Sequence, residues 1–317
     1  MVNLPDSLYE DYSKYKLTWP SASTSAPTTT NYSTRTTVVS LPNIQTILQW
    51  VNDLHSDILI ISDLALQNLS IHRNNFEILP LLLWNTPFTI AKMLQEVVKI
   101  YRLPIFSQPG MPSRVYNILL LFQCIAHHPE TRGQFLKAGM PHYFYPLMEI
   151  SYTDKPLECV RLGALGVIAH MLKAPGNGAA IRFLMDTGAI RYCTKPVEIG
   201  STESKTIAVF IINKIMSTDE GLQYCCVLAD RFFVIDGLLK KLLVYLSSMA
   251  KPSPSLFNLV ASCYFKLSQK ARARDGIRRC LPVMLIDGTF ASLLSEDPVA
   301  DNYRKQLIEN LKNKAMK

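Results

Sequence analysis

The chain has 317 residues, 48% of them hydrophobic and only 18% charged, with 13 Gly, 19 Pro and a formal charge of +8. This length buries a substantial core in one elongated or two compact domains, and the charge permits an acidic partner such as nucleic acid, a phosphorylated tail or an acidic protein surface without choosing among them. No run approaches the roughly eighteen unbroken apolar residues of a membrane span, and the opening Met1–Asp6 has no basic region followed by an apolar one, so a soluble protein is expected, cytoplasmic or also nuclear, with no membrane partner.

Cys124, Cys159, Cys193, Cys225, Cys226, Cys263 and Cys280 include no Cys-x-x-Cys pair. They suggest neither a disulfide framework nor a zinc ribbon, and most lie in apolar helical runs as small core residues.

Residues 1–40 differ in kind from the rest of the chain. Ser21, Ser23, Thr24, Ser25, Thr28, Thr29, Thr30, Ser33, Thr34, Thr36 and Thr37 cluster with Pro20 and Pro27. Such a composition does not repay its ordering entropy, and a disordered Ser/Thr/Pro-rich tail is expected, followed by one domain over 41–317. Tyr9, Tyr12, Tyr15 and Trp19 are the tail's candidates for a short docking motif.

From Asn43 a helical period begins. Ile44, Ile47, Leu48 and Val51 share a face, a second helix runs 58–69, and a third, 76–84, leads to a corner marked by Pro87. An amphipathic helix follows from Phe88, with Ile90, Leu94, Val97, Val98 and Tyr101 at three- and four-residue spacing. Further helices are expected over 112–127, 129–137, 141–150, 156–172, 179–186, 188–198, 201–216, 222–228, 231–249, 254–268, 271–281 and 299–311. Several have proline in the first turn, where the missing N–H costs nothing. Phe135 to Pro141 and Phe183 to Ile190 repeat one another after roughly fifty residues, close to the forty-odd of armadillo and HEAT units. Helix, glycine corner, second helix and longer third helix is the armadillo plan. The fold expected is all-α, a solenoid of about six such repeats.

The stretch Cys124-Ile125-Ala126-His127-His128-Pro129-Glu130-Thr131-Arg132-Gly133-Gln134-Phe135-Leu136, followed by Tyr145-Pro146-Leu147, resembles the "required for cell differentiation" family, the armadillo-repeat subunit of the CCR-NOT deadenylase complex. Ile47 to Leu54, Leu83-Trp84, Thr89 to Val98, Arg161 to Ile168, Ser204 to Ala208, Ala271 to Arg274 and Arg279 to Pro282 come in the family's order. The resemblance covers about residues 43–312. It implies a non-enzymatic adapter that docks on the central region of the NOT scaffold subunit and takes peptide motifs from RNA-binding repressors, for mRNA deadenylation and translational repression. Residue by residue, it implies scaffold binding at Asn85, Pro87, Phe88, Ala91 and Val98. It also implies a peptide groove at Cys159, Gly166 and Ile207, and a tryptophan-pocket region at Arg231. The chain departs from the family pattern at Asn85, at Phe88, at Cys159 and at Ala229.

Other constellations carry less. Adjacent His127 and His128 point about 100° apart on a helix, unlike ligands at i and i+4, so no metal site is expected. The Gly-rich loop 174–180 lacks the Lys-Ser/Thr of a phosphate loop, there is no nucleophile elbow, and neither a cofactor nor enzymatic activity is called for. Lys270, Arg272, Arg274 and Arg278 form a basic run that admits weak nucleic-acid contact, the alternative function, although the run also fits an ordinary amphipathic helix with a solvated basic face. A peptide-import solenoid would want Trp and Asn ladders, and the chain has three Trp. Self-association into a homodimer is left open.

Overall fold

The computed structural model describes residues 42–101 and 110–312. The expectation for the tail 1–40 lies outside them. Among the described residues there are seventeen α-helices, three 3₁₀ turns and no strand. Helix α1 (Ile44–Asp53) is capped by the Asn43 side chain, which accepts from the Thr46 N–H at 2.8 Å, and α2 (Leu59–Ile71) packs beside it. Three-helix units come next. The first is α3 (Leu79–Asn85), α4 (Thr89–Lys99) and α5 (Met111–His127); the second is α6 (Pro129–Lys137), α7 (Tyr145–Met148) and α8 (Lys155–Lys173). The third is α9 (Gly178–Asp186), α10 (Thr194–Ile199) and α11 (Thr202–Ile215), and the fourth α12 (Asp219–Val227), α13 (Ala229–Ser248) and α14 (Pro254–Ser268). The last unit is α15 (Ala271–Cys280), α16 (Ala291–Glu296) and α17 (Pro298–Lys312).

The long third helices form a spine. Along it α2 packs on α5, α5 on α8, α8 on α11, α11 on α14 and α14 on α17. One continuous apolar core runs its length, including Phe122, Phe135, Phe144, Phe210 and Phe257. No single hairpin could bury both its faces, and stacking is what covers them.

Several helix boundaries differ from the sequence reading, each for a local reason. The expected helix 141–150 is a 3₁₀ turn, Met140–Tyr143, joined to four residues of α7. The expected helix 188–198 likewise divides into the turn Ala189–Cys193 and α10. In both, a glycine with positive φ, Gly139 at 63° and Gly188 at 64°, ends the preceding helix and sets the chain into the tight turn. α3 begins at Leu79 rather than Phe76. α12 begins at Asp219 because Thr218 Oγ1 accepts from Gly221 N–H at 3.0 Å, a cap that competes with a later start. α13 starts at Ala229, two residues early, and α16 has no counterpart in the sequence reading.

Polar ties lock neighbouring units together. Arg161, 0% exposed, donates to Glu158 and to the carbonyls of Ile150 and Tyr152. Glu158 in turn accepts from Ser201 N–H and Ser204 Oγ, both at 2.7 Å, so α8 is tied to the start of α11. Further along, Lys266 Nζ reaches the Asn213 carbonyl at 2.9 Å while Asn213 Nδ2 donates to Ser262 Oγ at 2.9 Å. Buried polar groups satisfied across a repeat boundary favour one register of stacking over others.

Candidate functional site

The corner between α3 and α4 is the most exposed of the expected surfaces. Trp84 ties α3 to α6 by donating its indole N–H to Gln134 Oε1 and packing on Phe135. On α4, Thr89, Met93 and Val97 face the core, and Glu96 is fixed from α5 by Arg114 Nε at 3.2 Å. The opposite side is free: Asn85, Pro87, Phe88 and Ala91 are exposed and Val98 is half-buried. These five residues thus lie on one corner and its adjoining helix.

Phe88 stands out. It is 81% exposed and has φ of 63°, the only positive φ at a non-glycine among the described residues. It precedes the second helix of its unit as Gly139 and Gly188 precede the 3₁₀ turns of theirs. A left-handed conformation costs an ordinary L-residue about 1–2 kcal/mol, which glycine avoids. The corner therefore holds a large aromatic in a strained conformation and points it at solvent, a combination that folding alone does not favour.

The three residues expected in a peptide groove, Cys159, Gly166 and Ile207, are buried. Cys159 is 8% exposed and Ile207 1% exposed, so Ile207 belongs to the core between α8 and α14. Gly166 lies beneath the Gln123 side chain, which donates to the Gly163 carbonyl at 3.1 Å. Burial pushes the Cys159 thiol above its usual range, more than the nearby Lys155 lowers it.

At the other end of the chain a cleft of about 500 Å³ opens between the start of α13 and α15. Val227, Ala229 and Phe233 line one wall, and Arg272, Gly276 and Arg279 the other. Phe233 is 59% exposed, whereas Phe232 is 5% exposed and packs on Gly276. Arg231 does not line the cleft. Its guanidinium sits 3.5 Å above the Tyr224 ring and donates to the Tyr224 carbonyl, bracing α12 against α13. The cleft was not legible in the sequence because its walls come from residues about forty or more positions apart; the one signal was small Ala229 beside Phe232-Phe233.

The basic run of α15 does not make a uniform stripe. Arg278 pairs with Asp275 at 2.6 Å and donates to the Leu311 carbonyl, and Arg274 is half-buried. Arg272 is exposed and Lys270 half-buried. His128 caps α6, its Nδ1 accepting from Glu130 N–H at 3.3 Å, and His127 packs its ring against that of His170. Among the described residues no three His, Cys, Asp or Glu side chains gather as a metal site would need, and no helix is long and apolar enough to cross a membrane. The seven cysteines are free, five of them buried, and burial raises Cys193 to about 12 and Cys263 to about 11.

Stacked three-helix units with a spine of third helices and exposed apolar surfaces on the outer helices define an armadillo-repeat protein. A designed armadillo repeat protein has the same fold with a TM-score of 0.60 at 15% identity, covering 84% of this chain and 99% of its own. Another, solved in complex with the peptide (KR)4, matches with a TM-score of 0.59 at 16% identity over the same shares. The family described as "Cell differentiation family, Rcd1-like" matches residues 50–311, and the chain belongs to it. Cell differentiation protein rcd1 of Schizosaccharomyces pombe is 38% identical over 257 residues, 80% of this chain and 89% of that protein. Protein CAF40 of Saccharomyces cerevisiae is 33% identical over 249 residues, 78% of this chain and 66% of that one.

Proposed function

We propose that the protein is a non-catalytic adapter of the CCR-NOT deadenylase complex, docking through the α3–α4 corner on the central region of the NOT scaffold and holding repressor peptides elsewhere on the solenoid. Family membership supports the complex. The observation that carries the docking surface is Phe88, an aromatic kept exposed in a strained backbone conformation beside Pro87 and Ala91. Anchors of this kind dominate the energetics of protein interfaces when a partner covers them. For peptide motifs from RNA-binding repressors the cleft between α13 and α15 is the receptor, with the exposed Phe233 and the guanidinium of Arg272 among its lining residues to hold an aromatic side chain. Recruitment by this route brings the deadenylase to the repressor's mRNA, shortening its poly(A) tail and repressing translation.

Retention of the chain by an immobilised central NOT scaffold fragment tests the reading. Ala91→Tyr with Val98→Tyr overfills the docking face at about 1–3 kcal/mol each and should abolish retention while leaving the helical circular dichroism unchanged. Retention equal to that of the unaltered chain would refute this surface.

A further inference from the structure

Every spine helix from α5 to α14 has a spine neighbour on both sides, whereas among the described residues α2 packs on the spine at one side only, against α5. Terminal units of a solenoid need a polar outer face. The far end meets this need: the exposed residues of α17 include Asn302, Lys305, Glu309 and Lys312. α2 does not. Ser62, Ala65, Leu66, Leu69 and Ser70 face inward, and on the opposite side Ile60 (79% exposed), Leu64 (57%) and Ile71 (57%) form an apolar stripe. Ile58 and Leu59, at the start of the helix, are also exposed, 59% and 62%. α1 and α5 cover two sides of α2, and the face that carries Ile60, Leu64 and Ile71, with exposed Gln67 among them, is left uncovered by the described residues.

The chain before α1 contains a sequence that fits. Leu4, Leu8, Tyr12, Tyr15 and Trp19 recur at three- and four-residue spacing and at helical periodicity fall within an arc of about 80°. Pro5 and Asp6 suit a helix start, and Pro20 a stop. Residues 4–19 would measure about 22 Å as a helix, against about 17 Å from Ile60 to Ile71. A linker of the length of residues 20–41 bridges roughly 25 Å on average. α1 packs directly on α2, so the apolar stripe lies within that reach of Asn43.

We propose that residues 4–19 lie against the outer face of α2 and cap the N-terminal end of the solenoid, burying Leu8, Tyr12, Tyr15 and Trp19 on Ile60, Leu64 and Ile71. Covalent connection supplies the segment at an effective concentration in the millimolar range, which favours it over a second copy at ordinary protein concentrations. This cap lies on a different element from the scaffold-docking corner and stands or falls independently of it.

The test uses the full chain with a photo-reactive benzoylphenylalanine in place of Ile60, a position exposed enough to leave the core intact. Irradiation and then peptide mass spectrometry should find cross-links to residues 1–19 within chains of monomer mass. Tyr12→Ser with Trp19→Ser should lose those cross-links without loss of helical circular dichroism. Cross-links to residues 1–19 or to α2 confined to chains of dimer mass would replace the cap by self-association. Absence of any cross-link to residues 1–19 would overturn it.

Discussion

The side-chain amide of Gln123 occupies the space that a Cβ on residue 166 would need, and it is held there by its hydrogen bond to the Gly163 carbonyl. α5 and α8 meet at this point, and the missing side chain lets them approach. Gly166→Ala should displace the amide and sever that bond, lowering stability by about 1–2 kcal/mol. Urea denaturation would measure it. In the background of Gln123→Ala the same substitution should cost much less, because the obstructing group is gone.

Phe88 offers a test in which stability and binding move in opposite directions. Phe88→Asn places at the corner a residue that tolerates positive φ. The unfolding free energy should rise by about 0.5–1 kcal/mol as strain is relieved. Retention on the NOT scaffold fragment should nevertheless fall by about tenfold or more, since an interface anchor is lost. A parallel fall in both quantities would mean that Phe88 serves the fold.

Arg161 has no access to solvent and holds Glu158 and two carbonyls around it. Arg161→Leu leaves the half-buried Glu158 without its cation and the Ile150 and Tyr152 carbonyls without their donor, and should destabilise the chain by about 2–4 kcal/mol. A chemical melt of the purified variant, monitored by helical circular dichroism, would show the midpoint shift.

His170 makes the fold sensitive to acid. Burial holds its imidazole down at about 3, against the weaker upward pull of its hydrogen bond to the Gly166 carbonyl. The folded value lies below the unfolded one, so the unfolded chain takes the proton first. The contribution to stability is complete above about pH 6.5 and is lost as pH falls from there toward the folded value, at about 1.4 kcal/mol per pH unit. His170→Gln should flatten that part of the stability profile, as thermal melts across the acid range would reveal.

Phe233 projects from the wall of the α13–α15 cleft with little role in the core. Phe233→Glu should change stability by no more than about 0.5 kcal/mol. Fluorescence anisotropy with a labelled tryptophan-containing repressor peptide should show weakened binding, and unchanged binding would direct the search for the peptide site elsewhere.

The order and number of the helices were legible in the sequence because they rest on local rules. Apolar spacing marks each face, proline marks several starts, and the glycines at 139 and 188 mark two of the corners. The same rules were silent where a boundary depends on a turn, as in 141–150, since a 3₁₀ turn and a short helix carry the same apolar content. Family resemblance pointed to Asn85, Pro87, Phe88, Ala91 and Val98, and their shared corner arises from the α3–α4 connection.

Periodicity identifies an apolar face but not whether anything covers it, and charge does not reveal burial. Arg161 carries a full charge, yet it is enclosed because Glu158 and the turn before α8 converge on it. The family resemblance puts Ile207 in a peptide groove, yet α8 and α14 close over α11 from both sides and leave it 1% exposed. The sequence by itself determined an all-α chain of repeated three-helix units. Tertiary stacking alone decided that Phe88 would be strained and exposed, that Gln123 would fill the gap at Gly166, and that α2 would end the spine with its outer face apolar, because each depends on contacts between residues far apart in the chain.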